Sequence, residues 1–131
     1  MMEMIPPCGI LVNACPSCKE TNGMYNARVF GAMKKTACFR GMSRGALVDD
    51  HALAAAPKEG RIAGAGLDVT KQEPLPSSSV LRDAPNPMLG CHSWEFSPGR
   101  QLRLIGPIAG NVRRYSTGLP SLNSAGKVRG Y

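Results

Sequence analysis

A chain of 131 residues is long enough for one hydrophobic core, and its 43% hydrophobic and 19% charged residues exclude a fibrous or wholly disordered class. The formal charge of +7 raises nucleic acid as a partner, but the basic residues are scattered, aromatics make up 5%, and no DNA-reading motif occurs, so no nucleic-acid partner is expected. No apolar run approaches the roughly 20 residues that span a bilayer, and residues 1–8 carry Glu3 and two prolines instead of a basic leader, so no membrane partner and a cytoplasmic location are expected.

Residues 9–14 (GILVNA) form an apolar run of strand formers that Cys15-Pro16-Ser17 breaks, which predicts a buried strand and a loop. Asn26 stands at an N-cap position, and Val29, Phe30 and Met33 follow at helical spacing before Lys34 and Lys35, so a short helix is expected. Ala37-Cys38-Phe39 is too brief to assign by itself, and the chain then passes through Ser43-Arg44-Gly45 to Ala46-Leu47-Val48. Asp49 or Asp50 can cap a helix through Ala52–Ala56 that ends near Gly60. Pro57 removes a hydrogen bond there at a cost of about 3 kcal/mol, which predicts a kinked or lost last turn.

Residues 62–69 (IAGAGLDV) read as a strand of small residues that delivers Asp68 at its C-terminal end. A Pro- and Ser-rich loop over 71–86 follows, then one more strand over 88–91 ending at His92. Strands alternating with helices predict an α/β fold with a parallel sheet. Ser97 as N-cap and Pro98 at the first helical position open the longest helix, whose apolar face is Leu102, Ile105, Ala109, Val112 and Tyr115, up to Gly118. Pro107 predicts a kink near 103–107, and the polar tail 119–131 is expected to be extended.

Three consecutive segments, Ser43-Arg44-Gly45-Ala46-Leu47-Val48-Asp49, then Gly60-Arg61-Ile62-Ala63-Gly64-Ala65-Gly66-Leu67-Asp68-Val69, then Gln72-Glu73-Pro74-Leu75-Pro76, resemble the signature of the D-isomer-specific 2-hydroxyacid dehydrogenases. Upstream, Asn13-Ala14-Cys15-Pro16 with Glu20-Thr21 is similar to that family's loop beside the cofactor, and Lys127-Val128-Arg129-Gly130-Tyr131 resembles its C-terminus. The resemblance runs from about Val12 to the last residue. It implies the second half of a Rossmann-like, doubly wound parallel-sheet domain with a C-terminal helix. Residues 1–96 would belong to the NAD(P)-binding domain, and 97–131 would be a helix and tail returning to a substrate domain. The implied activity is hydride transfer between NAD(P)H and a 2-keto acid such as glyoxylate or hydroxypyruvate, as in the glyoxylate/hydroxypyruvate reductases.

The resemblance also implies a catalytic trio of Arg44, Glu73 and His92. A guanidinium fork can hold the keto acid's carboxylate and polarise its carbonyl. An imidazole can donate the proton that the resulting alkoxide needs, with a carboxylate holding its far nitrogen. Asp68 matches the aspartate that faces the nicotinamide carboxamide, Cys15, Pro16 and Thr21 match the loop lining the dinucleotide site, and Ser43, Arg44 and His92 are counted among the cofactor contacts. Taken alone, Arg44 reads as a surface turn residue, Asp68 as a turn cap and His92 as structural.

The sequence holds no Gly-x-Gly-x-x-Gly turn for a pyrophosphate, because Gly64-Ala65-Gly66 lies inside a strand, and no ribose-reading acid follows at the usual distance. Weak or absent activity of this chain by itself is therefore expected, and the alternative is a catalytically dead fragment that serves as an interaction module or has no function. Association through an exposed sheet edge, including between copies, belongs to that alternative. Five cysteines argue for reduced thiols, and Cys15-Pro16-Ser17-Cys18, with no second such pair, does not raise metal binding to the expected function.

Overall fold

A computed structural model describes residues 1–85, 87–93 and 97–127. The chain forms two compact units, Met1–Ser93 and Trp94–Tyr131.

In the first unit, strands β1 (Ile10–Asn13), β2 (Cys38–Gly41), β3 (Gly64–Leu67) and β4 (Met88–Leu89) form a parallel sheet in the order β1-β2-β3-β4. Helix α1 (Ala27–Ala32) links β1 to β2, and α2 (Asp50–Lys58) links β2 to β3. Strand and helix alternate because the apolar period switches between two and about 3.6 residues along the chain. The expected α/β, Rossmann-like class is what the structure has.

One register row carries the core. Leu11 pairs with Phe39 and Phe39 with Ala65, and Leu11 and Phe39 are both buried. Phe39 meets Tyr25 and Phe30 at ring-centroid distances of 5.1 and 5.3 Å, the second edge-on, as aromatic quadrupoles favour. Val29 and Phe30 from α1 and Leu53, Ala54 and Ala56 from α2 complete this side. In the alternate row Ile10, Val12 and Met88 are exposed. At Gly66 in that row a Cβ would collide with the Arg40 side chain, whose Nη1 lies 3.2 Å from the Met88 sulfur, so the glycine lets Arg40 cross β3.

The helix starts follow the expected chemistry in this unit. The Asn26 side chain accepts the amides of Arg28 and Val29, and Asp49 accepts those of His51 and Ala52, leaving Asp50 in the first turn. The last turn expected to be lost or kinked at Pro57 is not lost, since α2 extends to Lys58. Its end is closed by two bonds, from Gly60 N–H to Pro57 and from Arg61 N–H to Ala56, with Gly60 left-handed at φ 65°. These bonds use the carbonyls of Ala56 and of Pro57 itself, so the last turn is closed although Pro57 has no amide to donate. Two short 3-10 turns, Gly45–Leu47 and Val80–Asp83, lie in segments read as plain connections.

In the second unit, α3 spans Arg100–Ser116 and runs through Pro107. It begins later than expected. Gly99 is the N-cap at φ 76°, and the Ser97 hydroxyl accepts Arg103 Nη2 at 2.7 Å, so Ser97 and Pro98 form a preceding turn. Leu102, Ile105, Val112 and Tyr115 are exposed. The tail is not extended through residue 122. Leu119 N–H returns to the Arg114 carbonyl, and the Asn111 amide both donates to and accepts from the Leu122 backbone. Val128 to Tyr131, most of the C-terminal resemblance, lie outside the described residues.

Candidate active site

Parallel strands end on a common edge, so the loops after Asn13, Gly41, Leu67 and Leu89 gather where open α/β sheets place ligands. Asp68 follows β3, is buried, and fastens the next loop twice. Its carbonyl accepts the His92 amide at 2.8 Å and its Oδ1 accepts the Ser93 amide at 3.0 Å. His92 is thereby held at φ 59°, a left-handed conformation that non-glycine residues adopt only when the surroundings enforce it. Asp68 does cap a turn, and the turn it caps is the one that presents His92.

Glu73 uses both carboxylate oxygens. Oε1 accepts the Thr70 amide at 3.0 Å and Oε2 lies 2.9 Å from His92 Nδ1. The His92 hydrogen bond and then the Thr70 amide hold the Glu73 carboxyl below its usual range, with the charges of His92 and Arg44 acting in the same direction. The pair is partly open to solvent, at 43% and 40% side-chain exposure, so it contributes geometry more than stability. Arg44 sits at the tip of the Gly41–Gly45 loop in extended backbone, exposed, with Nη1 donating to the Ser43 carbonyl at 2.6 Å. A Cβ on Gly45 would run into the backbone of Thr70 and Lys71, so this glycine lets the Arg44 loop dock on the Glu73 loop. A cavity of about 500 Å³ is lined by Asp68, Glu73, Arg82, Leu89, Gly90 and His92.

The expected cofactor-side residues form a neighbouring network. Buried Asn13 accepts the Ser43 hydroxyl at 2.9 Å and the Cys15 amide at 3.3 Å through Oδ1, tying the loop after β1 to the loop after β2. Thr21 donates to the Pro16 carbonyl at 2.7 Å, closing the 16–21 loop, and Cys15 Sγ lies 3.8 Å from the Tyr25 hydroxyl. The structure thus joins Glu73 to His92 and Asp68 to the His92 turn, and brings Arg44 near enough for its charge to act on Glu73. Sequence reasoning missed Asn13, Thr70 and Arg82. The signal for Asn13 was a carboxamide ending an apolar strand run, while the other two act through backbone groups that leave no motif.

A nicotinamide ring fits this donor set. A buried carboxylate and an exposed guanidinium and imidazole lie on loops at one sheet edge, and the Asn13 Nδ2 donor among those loops has no hydrogen-bond partner among the described residues. The pyrophosphate end has no glycine-rich turn within these 131 residues. Among the described residues no three His, Cys, Asp or Glu side chains cluster to hold a metal.

Residues 1–93 match the family described as D-isomer specific 2-hydroxyacid dehydrogenase, NAD binding domain. The chain belongs to this family. Among dehydrogenases of known structure, that of Xanthobacter autotrophicus Py2, solved with NADPH and MES, superposes with a TM-score of 0.87 at 35% identity over 99% of this chain and 53% of its own. An NADPH-dependent glyoxylate/hydroxypyruvate reductase from Sinorhizobium meliloti, solved with NADP and sulfate, gives 0.85 at 25% identity over 99% of this chain and 42% of its own. The glyoxylate reductase of Korarchaeum cryptofilum is 39% identical over 103 residues, 79% of this chain and 31% of the relative. The chain therefore spans about a third to a half of these relatives' lengths. NAD or NADP is the cofactor that the family and these solved relatives use.

Proposed function

We propose that this chain carries the substrate-facing and nicotinamide-facing half of a D-2-hydroxyacid dehydrogenase site acting on a 2-keto acid such as glyoxylate or hydroxypyruvate. The observation that carries the proposal is the His92–Glu73 contact at 2.9 Å, within reach of the Arg44 charge. When bound, NAD(P)H supplies a hydride to the carbonyl carbon. Arg44 holds the substrate carboxylate and draws electron density toward the carbonyl oxygen. Glu73 takes the Nδ1 proton side of His92 and so presents Nε2 to the developing alkoxide, where it delivers a proton. Asp68, Cys15, Pro16, Thr21 and Ser43 line the nicotinamide side. Residues 97–131 are the part that returns to the substrate domain. Five free cysteines suit a reducing compartment such as the cytoplasm.

No glycine-rich pyrophosphate turn lies within these 131 residues, so weak dinucleotide binding and slow turnover are expected of them by themselves. The test is NADH oxidation by glyoxylate at high protein concentration. Slow turnover is expected, lowered about 100-fold or more in His92→Gln, the usual worth of a positioned proton donor, and strongly lowered in Arg44→Gln. Equal rates in parent and variants contradict the proposal.

One observation favours a second reading, a catalytically silent interaction module. β1 is an edge strand, and its Ile10 and Val12 are 63% and 48% exposed. Light scattering that finds a dimer disrupted by Val12→Lys supports that reading, and a monomer at all concentrations contradicts it.

A further inference from the structure

The segment after Glu73 has little means of holding itself in place. Pro74 and Pro76 have no amide to donate, and the carbonyls of Leu75 and Pro76 need donors from elsewhere. Arg82 supplies them. Its Nη2 donates to the Leu75 carbonyl at 2.7 Å and its Nε to the Pro76 carbonyl at 2.8 Å, two arms of one planar fork on consecutive carbonyls.

The fork is itself anchored. Arg82 belongs to the 3-10 turn Val80–Asp83, whose Leu81 is buried in the core. The Ser79 hydroxyl accepts the Leu81 amide at 3.3 Å, the Ser79 amide reaches the Pro76 carbonyl at 3.1 Å, and the Arg82 amide reaches the Ser79 carbonyl at 3.1 Å. A core side chain, a turn and a guanidinium thus run in series to a point two residues from Glu73. Arg82 also lines the same cavity as Glu73 and His92.

We propose that Arg82 is a positioning residue for the Glu73–His92 pair, acting by clamping the Leu75 and Pro76 carbonyls so that the Glu73 carboxylate stays within hydrogen-bond reach of His92 Nδ1. This rests on the reading of the pair given above. Two of the five Arg82 N–H donors are held by the backbone, which gives it a structural task that the exposed Arg44 does not have. Lysine is a poor replacement, since one ammonium on a flexible stem cannot reproduce two fixed donors.

The experiment is carboxyl-carbon NMR titration of Glu73 in the full chain and in the R82Q and R82K variants, with amide spectra recording the fold. The parent is expected to titrate below the usual glutamate range, and R82Q to shift upward toward it with the remaining amide pattern retained. R82K keeps the charge and loses the fork, so it is expected to shift in the same direction. If R82Q fails to fold, R82K carries the comparison. A lowered Glu73 unchanged in R82K overturns the role of Arg82 while leaving the pair intact. A parent Glu73 that is not lowered overturns the pair itself.

Discussion

Glu73 and Tyr25 give residue-scale pH dependences of opposite sign. Glu73 in the folded chain titrates below its unfolded value of 4.5, so the stability it contributes is present above that value and is lost as pH falls through the lowered folded one. Urea midpoints followed from neutral pH into the carboxylate range are expected to fall more steeply for the parent than for Glu73→Gln. Burial, and then the Cys15 thiol beside it, pushes Tyr25 up to about 12 from 10.0. Its contribution is whole below the unfolded value and is lost as pH rises toward the folded one. Tyr25→Phe is expected to lose less stability than the parent over that alkaline range. Asp68→Ala removes a buried acceptor from the Ser93 amide and is expected to cost about 1.5–3 kcal/mol in a thermal or urea melt. A loss within 0.5 kcal/mol contradicts the anchoring role. Arg44, Glu73 and His92 could be singled out in the sequence because a motif fixes their order, and the contact between Glu73 and His92 is the part the structure displays. Asn13, Thr70 and Arg82 could not, because their partners are carbonyls, amides or a hydroxyl fixed only by the fold.

At the scale of elements, the Arg44 loop and the Glu73 loop meet through the missing side chain of Gly45. Gly45→Ala forces a Cβ into the Thr70–Lys71 backbone, which cannot swing aside as a side-chain tip would. A loss of at least about 1–3 kcal/mol is expected, the usual cost of overpacking, together with broadened or shifted Thr70 and Glu73 amide signals. A parent-like melt contradicts the docking. Gly60→Ala, at φ 65°, is expected to cost about 1 kcal/mol through the left-handed helix end alone, with no change at the site. The helix starts at Asn26 and Asp49 were readable because a capping side chain acts over two or three residues. The start of α3 was misread because Ser97 has the right chemistry but spends its hydroxyl on Arg103. The last turn of α2 was not lost at Pro57, and the end-closing bonds from Gly60 and Arg61 cannot be seen in a propensity. β2 escaped assignment because Arg40 and Gly41 interrupt its apolar run, and the structure explains both through the glycine gap at Gly66 and close packing of Gly41 on Leu67 and Phe39.

For the molecule as a whole, the parallel sheet sets the common edge, and the edge sets the chemistry. Four loops that are far apart in sequence arrive there because each follows a strand running in the same direction. At that edge Glu73 holds Nδ1 of His92, and long-range nitrogen–proton NMR of the two histidine rings, with His51 as internal reference, reads this contact. A protonated, hydrogen-bonded Nδ1 is expected on His92, with a signal that moves in Glu73→Gln while His51 stays unchanged. A His92 ring that ignores Glu73→Gln, or moves only as much as His51, contradicts it.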